Sequence, residues 1–159
     1  AMLVAFVALI AMLNWPLSAL GELGPIARWR AENGIPPFSL QMLLGVVFRP
    51  IAWLMGIPSA DVGTAGTLLG TQIIATEFMA YIGLSKHVAE HTISSRGAQV
   101  LTYGLCGFAN LPSIAIQIGG LSAMAPERRA DLAKLAPKAM VAGALSCWMT
   151  ACVAGLFID

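Results

Sequence analysis

Glu77 is the residue whose setting most invites chemistry. It is the only Asp, Glu, Lys or Arg between Asp61 and Lys86, in the stretch VGTAGTLLGTQIIATEFMAYIGLS at 62–85. An acidic side chain in such apolar surroundings costs about 2.5–3.5 kcal/mol on the membrane-insertion scale, so it faces a partner or a cavity. An ionised Glu offers two acceptor oxygens, which suit the paired hydroxyls of a polar solute. A buried one can instead take up and release a proton, because burial disfavours the charged form. A structural carboxyl, hydrogen-bonded to a neighbouring helix, is the third reading. Asn110 supplies a donor and an acceptor, and Ser113 a hydroxyl, at a spacing of three that puts both on one helical face. Interhelical hydrogen bonding alone, worth about 1 kcal/mol, accounts for that pair equally well. Phe108 reads as packing before it reads as a stacking platform.

His87 and His91 lie at i, i+4 with Glu90 between them, a spacing at which two imidazoles could hold a metal ion. No further ligand cluster accompanies them, so they are expected to be a solvated surface pair, and no metal site is expected. Cys106, Cys147 and Cys152 sit in apolar runs without paired ligand spacing and read as buried small hydrophobes. No nucleophile with its base and no phosphate-cradling loop is present. Neither an enzyme nor a cofactor is expected.

The composition says what must position these residues. Hydrophobic residues make up 58% of the 159 and charged residues 11%, against about 45–50% and about 25% in soluble domains. Residues 1–21, 97–126 and 139–158 contain no Asp, Glu, Lys or Arg. Such runs are long enough to cross a bilayer core of about 30 Å. The chain is therefore expected to be an integral membrane protein with the lipid bilayer as its surroundings. A net charge of +1 offers no basic patch, which excludes nucleic acid as a partner.

Along the chain, a first span is expected over 1–24, kinked at Pro16. Residues 22–37, with Glu22, Arg28, Arg30 and Glu32 among Gly34, Pro36 and Pro37, read as an aqueous connection. Arg49 and Pro50 in the middle of 38–57 favour an interfacial helix there over a span. Residues 60–85 read as a re-entrant hairpin with its tip near Glu77, because non-helical backbone at that depth must be buried or line a cavity. Gly66 and Gly70, in G-x-x-x-G spacing, allow close helix approach. A broken span is expected over 97–125, its half-helices meeting near Asn110, since Pro112 disrupts the helix around it. Arg128, Arg129, Lys134 and Lys138 mark 127–138 as a cytoplasmic loop. The last span, 137–158, then exits at Asp159. The chain begins at Ala1 inside an apolar run and is expected to be a piece of a longer polypeptide.

At these residues the sequence resembles the C-terminal half of the concentrative nucleoside transporter family. The matching words are ATEFMAY at 75–81, ISSRGAQVLTYGLCGFANLPSIAIQIGGL at 93–121 and APERRADLAKL at 125–135, with LLGVVFRPIAWLMGIP at 43–58 similar too. The resemblance implies an all-α membrane protein, transmembrane helices with a re-entrant helical hairpin and a broken helix, forming half of an inverted-repeat transporter. It implies a multi-pass symporter of the plasma (cell inner) membrane, assembled as a homotrimer, that moves nucleosides with Na⁺ or H⁺. The hairpin Glu of the family's N-E-F motif, here Glu77, would contact the ribose. So would the Asn of G-F-A-N and the Ser three residues on, here Asn110 and Ser113, with Phe108 beside them in the substrate site. Thr76 stands where the family has Asn, and Pro112 where Ser, Ala or Gly is commoner. Base-contacting residues and most of the coupling-ion site would lie in the missing N-terminal half of the polypeptide. The alternative from another class is a non-transporting membrane assembly or interaction subunit, in which Glu77 is a structural hydrogen-bonding residue. A metal permease fits poorly with a lone carboxylate.

Overall fold

The structure, a computed structural model, describes residues 2–35 and 37–158. Ala1, Pro36 and Asp159, which entered the expectations above as chain start, breaker and exit point, lie outside those residues. Among the described residues all regular structure is helical: α1 (Met2–Gly21), α2 (Gly24–Glu32), α3 (Leu40–Leu54), α4 (Val62–Ile74), α5 (Glu77–Ala89), α6 (Ser95–Gly104), α7 (Leu111–Met124), a 3₁₀ turn (Pro126–Arg128) and α8 (Arg129–Gly155).

Four of these helices start where the sequence supplies a capping side chain in extended backbone. Ser39 accepts from the Met42 N–H, Thr76 from Met79, Ser94 from Gly97 and Asn110 from Ser113. Each cap satisfies an amide that the first turn leaves without an intrahelical partner. Pro112 falls at the start of α7, where its missing N–H costs nothing. The chain breaks at Ala75–Thr76 between α4 and α5, and again over 105–110 between α6 and α7. Each of these four helices is at most 14 residues long, about 21 Å, short of a bilayer core of about 30 Å. The continuous stretch Pro126–Gly155 is long and apolar enough to cross, judged by length and composition.

Several expectations are corrected here. The connection expected over 22–37 contains a helix, α2, which begins at Gly24 with Pro25 in its first turn and closes in Asn33 and Gly34. The basic loop over 127–138 is helical from Pro126 onward, and α8 runs through Pro137 rather than beginning there. The helix-forming Ala, Leu, Lys and Arg of RADLAKLAPK outweigh one proline. α1 keeps Pro16 inside a single helix, which a kink at that residue leaves intact. The histidine pair does not share a helical face, because α5 ends at Ala89 and His91 has left the helix at φ 51°. His87 Nδ1 instead pairs with Thr92 Oγ1 at 2.7 Å. The cysteines are not buried small hydrophobes either. Cys106 is exposed on the α6–α7 link, and Cys147 and Cys152 are only partly covered, by Gly107 and by Leu54 respectively.

The core lies where α3, α4, α6 and α8 meet, around Met55, Leu69, Leu101, Leu105 and Trp148, with Phe48 edge-on to Trp148 at 5.4 Å. α3 lies along α4 at backbone contact. A Cβ on Gly66 would run into the Gly45 carbonyl oxygen, and one on Gly70 would stand 2.9 Å from that of Gln41. Small residues thus let two helices touch through their main chains, where dispersion contact replaces a missing hydrophobic drive. α6 and α7 both pack on α8.

Candidate functional site

The break between α4 and α5 and the break between α6 and α7 come together. The Thr76 cap starts α5 so that Glu77 is its first residue. The Asn110 cap starts α7 in the same way, so both helices open toward one place with their positive ends. There Asn110 Nδ2 donates to Glu77 Oε2 at 2.9 Å. Asn110 Oδ1 accepts from the Ser113 N–H at 2.9 Å and from the Ser113 hydroxyl at 2.7 Å. Asn110 is only 2% exposed, whereas Glu77 and Ser113 are half-buried. Three of the four candidates read from the sequence therefore form one hydrogen-bonded chain, Glu77–Asn110–Ser113.

Phe108 stands apart. It is 74% exposed, contrary to the packing reading. It projects from the α6–α7 link beside an open cleft of about 650 Å³, within the usual range for small-molecule sites. The cleft is bounded by the link, α7 and α8; Phe108, Asn110 and Ser113 contribute to it, facing largely apolar walls such as Ile118, Leu132 and Met140. Glu77 is not among its lining residues and adjoins it at Asn110.

The electrostatics leave capacity unused. Among the described residues no Lys or Arg pairs with Glu77, and its second oxygen takes no hydrogen bond. A half-buried carboxylate with one filled oxygen is a ready acceptor for a ligand hydroxyl. Asn110, by contrast, has both ends engaged, which holds the carboxylate and the serine at fixed separation and leaves one amide hydrogen for a ligand. No group of three or more His, Cys, Asp or Glu side chains that could hold a metal occurs among the described residues. One buried polar residue beside the site went unread in the sequence as a candidate. Gln72, fully buried in α4, donates from Nε2 to the Gly107 carbonyl at 2.9 Å. Its only sequence signal was an amide in an apolar helix with no partner at helical spacing.

Two interrupted helices that meet at their breaks around a carboxylate, beside an uninterrupted helix of spanning length, are the architecture of a membrane transporter. Residues 1–155 match the family described as "Na+ dependent nucleoside transporter C-terminus", and the chain belongs to the concentrative nucleoside transporter family. It is 41% identical to an uncharacterized transporter of Haemophilus influenzae, with 99% of this chain and 37% of that protein covered. It is 37% identical to the nucleoside permease NupC of Helicobacter pylori, covering 99% of this chain and 36% of the permease. A solved structure of a CNTnw variant in an intermediate state superposes with a TM-score of 0.83 at 44% identity, over 98% of this chain and 37% of that one. The chain thus spans a little over a third of the length of these relatives.

Proposed function

We propose that this chain is the ribose-binding C-terminal half of a cation-coupled nucleoside symporter. The observation that carries the reading is the bond between Glu77 and Asn110, which joins two helix breaks and leaves one carboxylate oxygen open. A ribose hydroxyl would donate to that oxygen, Ser113 would serve a second hydroxyl from the cleft wall, and Phe108 would cover the apolar face of the ligand. The resemblance in ATEFMAY and GFANLPSIAIQIGG supports the same assignment, as does the match to a family described as nucleoside transporters.

In this reading α4 and α5 form a re-entrant hairpin, α6 and α7 a broken span, α1 and α8 spans, and α3 an interfacial helix. The lengths support it: helices of 10 to 14 residues stop part-way through a bilayer, where their breaks can meet. The remainder of the polypeptide would carry the base contacts and most of the Na⁺ or H⁺ site and would close over the open cleft. The assembled symporter would be a homotrimer in the plasma (cell inner) membrane.

Uptake of labelled uridine by the full-length protein, with and without Na⁺, tests this beside Glu77→Gln, which keeps the volume and removes the charge. Uptake that the substitution abolishes at unchanged expression is the expected result. Unchanged uptake and affinity would remove Glu77 from the site. No uptake of any nucleoside by well-expressed protein would bring forward a non-transporting membrane subunit.

A further inference from the structure

The Glu77–Asn110 bond is not the only polar tie between the two breaks. Gln72 lies in the last turn of α4, five residues before Glu77, and is fully buried. Its Nε2 donates to the Gly107 carbonyl, while Oε1 has no partner among the described residues. Gly107 sits in the link between α6 and α7, three residues before Asn110. From the other side Cys147 of α8 closes on it so tightly that a Cβ on Gly107 would collide with the Cys147 sulfur. The link is therefore gripped between α4 and α8 at one backbone position.

Packing alone does not account for Gln72. A buried amide with one polar end unmatched is less stable than an apolar side chain of similar volume. What the amide adds is direction: one bond to a specified carbonyl, which fixes the path of the link and with it the place of Asn110. We infer that Gln72 is a positioning residue, whose hydrogen bond to Gly107 holds the link so that Asn110 presents its amide to Glu77 and the ligand. This deepens the nucleoside reading and rests on it. One element, α4 with the start of α5, then sets both the height of the link, through Gln72, and the partner of its cap, through Glu77. Gln72 does not line the cleft and need not touch ligand.

The test compares wild type, Gln72→Met and Asn110→Ala in the purified full-length protein, with uridine and with 2′,3′-dideoxyuridine, which lacks the 2′ and 3′ hydroxyls of the ribose. Methionine keeps the length and removes both the donor and the unmatched oxygen. The expected result is an unchanged or raised unfolding temperature and a uridine dissociation constant about tenfold higher, the scale of one lost hydrogen bond. The dideoxy ligand should shift by less than about twofold, since it does not draw on the positioned hydroxyl contacts. Equal weakening for both ligands would make Gln72 a general packing residue, and unchanged uridine affinity would remove its role; either overturns the inference. Asn110→Ala separates the two levels. Undiminished uridine affinity there removes the ribose site itself. Loss there with wild-type affinity in Gln72→Met removes only the positioning role. Gln72→Glu, similar in shape, replaces the methionine variant should that fail to reach the membrane. Failure of both would assign Gln72 to folding and overturn the proposal.

Discussion

The two ends of α4 and α6 are built on opposite principles. At the starts of these helices, Asp61 is 6% exposed and accepts from both the Ser94 N–H at 3.1 Å and the Ser94 hydroxyl at 2.5 Å. Beside it Arg96 donates to the carbonyls of Gly56, Gly155 and Ile158, drawing the ends of α3, α6 and α8 together. At the other ends, the site leaves a Glu77 oxygen, the cleft face of Ser113 and all of Phe108 without full partners. Charge at the first end is spent on backbone groups of the chain itself, so it fixes helix ends and has nothing left for a ligand. Charge at the second end is only half engaged. Both ends use capped helix starts, and what separates structure from binding is the acceptor capacity left over.

The largest expected effect breaks the scaffold common to both ends. Gly66→Leu drives a side chain into the Gly45 backbone, where α3 cannot yield without losing its contact with α4, at a cost of about 3 kcal/mol or more. The yield of monodisperse protein by size exclusion should fall to near nothing; a wild-type profile would mean that the two backbones are not in contact. Asp61→Ala comes next. It leaves the Ser94 N–H and hydroxyl without their acceptor, for a loss of about 1–3 kcal/mol in detergent unfolding. Uridine affinity should stay unchanged, and a change in affinity with no loss of stability would reverse the assignment of the two ends.

Glu77→Gln should do the opposite. Affinity falls by roughly ten- to a hundredfold, as for loss of a charge-assisted hydrogen bond, while the unfolding temperature holds. Isothermal calorimetry and a melting curve on one preparation decide it, and a large drop in melting temperature would make Glu77 a structural carboxyl after all. The smallest effect is expected at Phe108→Ala. Its ring is already exposed, so stability should stay within about 0.5 kcal/mol. Uridine affinity should fall several-fold, for about 1 kcal/mol of lost aromatic contact. A clear destabilisation instead would mean that Phe108 packs against another part of the assembly.

Much of the site was readable because its residues are exceptions to their surroundings. Glu77 alone breaks a 24-residue charge-free stretch, and the Asn110–Pro112–Ser113 sequence carries its own cap and helix start. The second half of the picture was not. Asp61 and Arg96 read as the polar flanks of apolar segments, since their partners are Ser94 and backbone carbonyls 33 to 62 residues away. The helix of 24–32 is hidden because charge, Gly and Pro also act as punctuation, although Pro25 falls in the first helical turn, where its missing N–H costs nothing. The His87–His91 spacing has no helical face behind it for the converse reason, since an i, i+4 pattern says nothing once the helix ends between its members.

The sequence by itself determined that the chain is apolar, helical and interrupted at Thr76 and near Asn110, because charge placement, proline and capping side chains act over a few residues. It also determined the α3–α4 contact in part, since Gly66 and Gly70 carry no side chain to keep another helix away. Only the tertiary structure decided that the two breaks meet, that Asn110 bridges Glu77 and Ser113, and that Gln72 and Cys147 grip Gly107 between them. Apart from the local Asn110–Ser113 cap, those contacts join residues 33 to 40 positions apart, and their geometry is set by how α4, α6 and α8 pack. A pattern along the chain fixes what each side chain offers, whereas packing fixes which offers are taken up and which remain for a ligand.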